Sequence, residues 1–217
     1  MKKPNNRKNK INCWILTHPR SGSYFLCDLL NQTKTLSYKI DEYWSGNYPS
    51  YNNRIPYCNK VTHPITLKFN INEIENKIPN IKYIKLSRKD TFKTAISYYF
   101  VQKNKAWTLE QLNKKKKIES RIKFEESEVL DAFQKCMNFK NFWKAELKEK
   151  NFLEIYFEDL IQNPQNIIDK ILDYFEINQK IKIKPLVEKF KMTYPLSNEY
   201  SEKLKTLISS PSSFKKI

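Results

Sequence analysis

The sequence holds only 2 glycines in 217 residues, where average usage of about 7% would give roughly 15. That scarcity excludes a collagen repeat, a Gly/Ser linker and the G-x-G-x-x-G turn of dinucleotide-binding hydride-transfer enzymes. Arginine is scarce too: Arg7, Arg20, Arg54, Arg88 and Arg121 are the whole set among 40 basic residues. The two histidines, His18 and His63, stand apart, and the four cysteines (Cys13, Cys27, Cys58 and Cys136) form no C-x-x-C pair. Zinc and dithiol redox motifs are therefore missing, and no metal is expected. Cys13 and Cys27 lie in apolar runs and read as small buried hydrophobes. No apolar run is long enough for a membrane span. The basic stretch 2–10 leads into an apolar run too short for a signal peptide, so a reducing cytoplasm is the expected setting.

What is present describes a folded chain. Hydrophobic residues make up 40% and aromatic residues 14%, too much for disorder, and 26.1 kDa fits one domain with a real core. The net charge of +17 points to an anionic partner. Much of it has a plainer source, because Lys, Asn and Ile are abundant together, as in AT-rich coding sequence. Dispersed lysine in place of clustered arginine argues against a nucleic-acid partner.

Residues 1–10 read as a basic flexible arm and 11–217 as a single domain. A buried strand is expected at 11–17 and a helix at 23–33, with Phe25, Leu26, Leu29 and Leu30 on its inner stripe. Residues 36–64 show no clear period and read as irregular, a candidate lid. Strands follow at 65–69, 81–86 and 152–157. Helices are expected at 72–77, 90–103 and 125–150, from Asn163-Pro164 to 175, and near 200–207; residues 104–124 are charged and show no pattern. Strands alternating with helices define an α/β chain: a three-layer parallel sheet flanked by helices.

Two loops carry the chemistry. Thr17-His18-Pro19-Arg20-Ser21-Gly22-Ser23-Tyr24 joins the first strand to the first helix. A loop entering a helix at the carboxyl edge of a sheet presents N–H groups and the positive helix end to an anion. Gly22 lets backbone approach, Ser21 and Ser23 offer hydroxyls, and Arg20 offers a charged donor. The loop lacks the first glycine and the lysine of G-x-x-x-x-G-K-[ST], and Cys13 is wrongly spaced from Arg20 for a phosphatase. The second loop is Leu86-Ser87-Arg88-Lys89-Asp90, with Asp90 as a helix N-cap; Arg88 or Lys89, with Ser97 two turns on, could hold a second anion.

Residues Leu16 to Leu30 resemble the 5′-phosphosulfate loop of PAPS-dependent sulfotransferases, in particular the bacterial trehalose-type branch related to nodulation-factor and lipopolysaccharide sulfotransferases. Lys85-Leu-Ser-Arg-Lys-Asp90 with Ala95-Ile-Ser-Tyr-Tyr99 resembles the family's 3′-phosphate segment, and Gln102 and Trp107 its following glutamine and tryptophan. Glu154-Ile-Tyr-Phe-Glu-Asp-Leu160 with Asn163-Pro164 resembles the family's late strand and helix entry. The resemblance implies a P-loop-like fold and sulfuryl transfer from PAPS, with PAP as product, to a small-molecule or carbohydrate acceptor. No nucleic acid and no membrane span are expected, and a homodimer is left open. The resemblance implies cofactor binding by Arg20, Ser21, Gly22, Ser23, Tyr24, Arg88, Lys89, Ser97 and Lys191, with Lys68 assisting. Glu42, in Asp41-Glu42-Tyr43-Trp44, matches the branch's proposed general base, with Asp41 as fallback and His18 as runner-up; Arg20 stabilises leaving charge and His63 reads as structural. The family's glycine after the first helix is replaced near Lys34. A small-molecule kinase with a degenerate phosphate loop is the alternative.

Overall fold

The computed structural model describes residues 12–36, 41–42, 58–62, 70–108, 110–111, 122–185 and 196–210. One parallel sheet organises them, in the order β2-β3-β1-β4-β5. Its strands are β1 (Asn12–Leu16), β2 (Asp41–Glu42), β3 (Cys58–Val61), β4 (Ile81–Ser87) and β5 (Phe152–Tyr156). The helices are α1 (Ser23–Thr33), α2 (Ile71–Lys77), α3 (Thr91–Asn104), α4 (Glu126–Glu146), α5 (Phe157–Gln162), α6 (Pro164–Tyr174) and α7 (Ser197–Ser209).

β1 is the central strand and is buried along its whole length, which is why it reads as an apolar run and not as an alternation. Its side chains still alternate between faces. Cys13 and Ile15 enter the core under α1 and α6, beside Phe25, Leu29, Ile168 and Ile171. Trp14 and Leu16 enter the opposite core, with Ile71, Ile74 and Trp143 from α2 and α4. A third cluster joins α3, α4 and α7 through Ile96, Tyr99, Val129 and Tyr200. The expected three-layer α/β arrangement is the observed one.

Local chemistry sets the helix starts. Asn70 caps α2 by accepting from the N–H groups of Asn72 and Glu73, and Asp90 caps α3 by accepting from Lys93 N–H at 2.9 Å. Such a cap is worth about 1 kcal/mol. Pro164 opens α6, where its missing N–H costs nothing. Lys34, after α1, has φ 53°, a left-handed position that glycine fills most easily.

Two expectations need correcting. Residues 36–64 are not irregular throughout: β3 lies among them and is the strand beside β1, in register from Cys13↔Cys58 to Leu16↔Val61. Its sequence, Cys-Asn-Lys-Val, has too few apolar residues to signal a buried strand. The strand expected at 65–69 falls outside the described residues, as does the arm 1–10. The second correction is α5, a six-residue helix directly after β5, too short to show a period.

Candidate active site

β1 ends beneath the loop 17–22, and neutral groups anchor the loop from several sides. Thr17 N–H donates to Val61 O at 3.0 Å on β3. Thr17 Oγ1 donates to Leu86 O on β4 at 2.9 Å and is also hydrogen-bonded to Ser21 Oγ. The Trp143 indole, from α4, donates to the Thr17 carbonyl at 2.6 Å. Ser21 is fully buried, so its hydroxyl is committed to the loop's own structure.

His18 is 8% exposed, and its Nδ1 lies 2.9 Å from Pro19 O. A carbonyl only accepts, so the neutral ring carries its proton on Nδ1. Burial lowers its pKa to about 4, assisted by the charges of Arg88, Lys140 and Lys85. His18 also lines a small cavity with Ser87, Arg88, Thr91, Thr94, Cys136 and Lys140. The Cys136 thiol is pushed up to about 12 by burial, which suits packing and not nucleophilic chemistry.

Arg20 adopts a positive φ of 66°, uncommon outside glycine. Its Nε donates to Ser97 Oγ at 3.0 Å and its Nη1 to the Trp107 carbonyl at 3.0 Å. Fold contacts thus unite Arg20 and Ser97, 77 residues apart in sequence. Gly22 follows with φ 87°, and α1 starts at Ser23 with no side-chain cap and no acidic residue in its first turn. That helix end is electropositive.

Gly22 answers a packing demand as well as a conformational one. A Cβ there would lie 2.0 Å from Cδ2 of Phe157, far inside contact distance. The same Phe157 ring carries the Arg88 guanidinium 4.5 Å from its centroid.

The second loop is held differently. Arg88 Nε lies 3.6 Å from Glu158 Oε1 and is buried without a hydrogen-bond partner. Burial lowers the Arg88 pKa, opposed by the Glu158 and Asp90 carboxylates. Lys89 N–H donates to Glu158 Oε2 at 3.0 Å, and Lys89 Nζ donates to Asp159 Oδ1 at 2.5 Å. Ser97 contacts Arg20 and not this pair, so the expected grouping of Ser97 with Arg88 or Lys89 is not the one the side chains form.

Tyr24 is half exposed on the first turn of α1, with Lys60 Nζ 3.7 Å from its ring centroid. Lys60, on β3, is only 3% exposed. The sequence does not flag it, because a lysine in so short and polar a strand carries no periodic signal. Glu42 pairs in register with Lys60 and Lys60 with Ile15, which puts the Glu42 backbone on the same sheet level as the end of β1. The side chains of Asp41 and Glu42, and residues His63, Lys68 and Lys191, lie outside the described residues. Among the described residues no cluster of three His, Cys, Asp or Glu could hold a metal, and no helix is long and apolar enough to cross a membrane.

A protein-family model for the sulfotransferase domain matches residues 10–216. This chain belongs to the sulfotransferase domain family. The fold agrees: the crystal structure of mouse sulfotransferase SULT7A1 complexed with PAP matches with a TM-score of 0.51 at 12% identity, over 96% of this chain and 66% of that one. The chain thus spans just under two thirds of that relative. No curated protein matches its sequence significantly.

Within that family frame the candidate site has two halves. One is the 17–23 loop with Arg20, closed by Ser97 and Trp107. The other is the Arg88–Lys89 pair, backed by the first residues of α5. Both stand at carboxyl ends of adjacent strands, where open α/β sheets place their ligands.

Proposed function

We propose that this sulfotransferase-domain protein moves a sulfuryl group from PAPS to a hydroxyl of a carbohydrate or glycoconjugate, leaving PAP, in the manner of the bacterial trehalose-type branch. The observation that carries the reading is Arg20, bound to Ser97 and the Trp107 carbonyl beside the uncapped start of α1. The PAP-bound mouse relative supports the choice of nucleotide.

PAPS supplies a sulfonate whose bond to the 5′-phosphate oxygen breaks on transfer. Arg20 and the α1 first turn, with Gly22, Ser23 and Tyr24, hold that phosphate and stabilise the charge left on it. Arg88 and Lys89 face the 3′-phosphate; Lys89 is the more exposed of the two, and Arg88 is stacked on Phe157. Lys191 joins the nucleotide site in this reading. Arg20 and the helix end supply the stabilising charge, so the transfer is expected to be metal-independent, in a cytoplasmic protein.

Glu42 is the base that takes the acceptor proton, and Asp41 is its neighbour in reserve. His18 is buried and tied to Pro19 O, which suits loop support better than proton exchange with an acceptor.

Thermal stabilisation tests the nucleotide, since a ligand that binds only the native state raises the melting temperature. Adenosine 3′,5′-bisphosphate should stabilise the protein, whereas ATP with magnesium and single-stranded DNA should do so little or not at all. Absence of any shift with the bisphosphate would sink the reading. For the base, Glu42→Gln should abolish sulfuryl transfer to a glycan panel and leave bisphosphate binding intact. Activity kept in Glu42→Gln would overturn its role as the base.

A further inference from the structure

Three consecutive residues of α5 touch both halves of the candidate site. The Phe157 ring lies where a Gly22 Cβ would be and against the Arg88 guanidinium. Glu158 pairs with Arg88 through Oε1 and accepts from the Lys89 N–H through Oε2. Asp159 accepts from the Lys89 ammonium at 2.5 Å. The two carboxylates therefore engage the two cations and a backbone donor of the second loop, the same kind of donor set that a phosphate dianion would engage. The Lys89–Asp159 pair is open to solvent, with side chains 54% and 42% exposed, so a competing anion can reach it.

On the nucleotide reading above, we propose that Glu158 and Asp159 act as a resident counter-anion, and that the 3′-phosphate displaces Asp159 from Lys89 when the nucleotide binds. Glu158 stays in place, because it holds the Lys89 N–H and the stacked Arg88. Lys89 makes the exchange by turning its flexible stem. Asp159 is thus a positioning residue with an unusual sign: it orders the lysine while the site is empty and opposes the ligand that needs it. A purely structural ion pair behaves in the opposite way, since its loss disorders the lysine and weakens binding.

Calorimetric titration of the full chain separates the two. Adenosine 3′,5′-bisphosphate and adenosine 5′-monophosphate would be titrated into wild type, Asp159→Asn, Asp159→Glu, Lys89→Gln and the Asp159→Asn/Lys89→Gln double variant. Asp159→Asn should bind the bisphosphate about two- to fivefold more tightly, the range that an exposed ion pair can supply. The monophosphate should show no gain, Asp159→Glu should resemble wild type, and the double variant should bind no more tightly than Lys89→Gln. If Asp159→Asn does not fold, Asp159→Ser removes the same charge. Unchanged or weaker bisphosphate binding in a folded Asp159 variant overturns the proposal, as does an equal gain for both nucleotides or a gain that survives without Lys89. Wild type binding neither nucleotide overturns the cofactor reading and this inference together; wild type binding with no gain in the variant overturns this inference alone.

Discussion

The two loops of the candidate site occupy equivalent places, at the carboxyl ends of neighbouring strands β1 and β4, yet they are held by opposite means. Loop 17–22 is fastened by neutral hydrogen bonds from three sides of the fold: Val61 O, Leu86 O and the Trp143 indole. The Arg88–Lys89 loop is held by carboxylates, and its Lys89–Asp159 contact is at the surface. Neutral bonds in a dry interior are insensitive to salt and strict about shape. Charged pairs in solvent are screened by salt and exchange partners readily. The first loop is therefore firmly held and the second adaptable, a division that, on the proposed reading, suits a ligand bearing phosphates at two ends.

The strongest way to break this contrast is at Gly22. Gly22→Ala imposes a left-handed alanine and drives a methyl into the Phe157 ring, at a combined cost of about 2–5 kcal/mol. Denaturant unfolding should show that loss, and bisphosphate binding should fall with it. A loss below about 1 kcal/mol would mean that the ring moves aside and that the first loop is less rigid than its contacts indicate.

Acid should find the same weak point. The His18 pKa falls from an ordinary 6.5 to about 4 on folding. The unfolded chain therefore binds the extra proton between those values, and stability declines as pH drops from about 6.5 to about 4. At the limit this one group contributes about 3 kcal/mol. Melting temperatures of wild type and His18→Gln across that range provide the check: the wild-type curve should fall more steeply, and parallel curves would refute the buried, neutral state.

Trp143→Phe is the smallest perturbation. It keeps most of the apolar volume and removes the donor to the Thr17 carbonyl, at about 1–3 kcal/mol. The loss should persist at high salt, whereas the affinity gain expected of Asp159→Asn should shrink there. Equal salt dependence in the two would erase the distinction between the loops.

Much of this was legible in the chain. The run Asn12–Leu16, the helical stripe after Gly22, the Asp90 cap and the Pro164 helix start are local signals, and each lies where it was expected. β3 was not, because Cys-Asn-Lys-Val acquires strand character by pairing with β1 and not from its own composition. The pairing of Arg20 with Ser97 and the engagement of Arg88 and Lys89 by α5 were hidden for a related reason. Each joins residues between 69 and 77 positions apart, and one sequence records nothing about such distances.

Glycine marks the same boundary. By itself the sequence determined that glycine is nearly absent and that one of the two lies in a Pro-Arg-Ser-Gly-Ser loop between a strand and a helix, because that much follows from composition and local order. Only the tertiary structure decided why Gly22 has no side chain: Phe157, 135 positions later, fills the place of its Cβ. It also decided that Lys34 must take the left-handed turn after α1. Backbone preference is written residue by residue, whereas excluded volume depends on which distant atom the fold brings near.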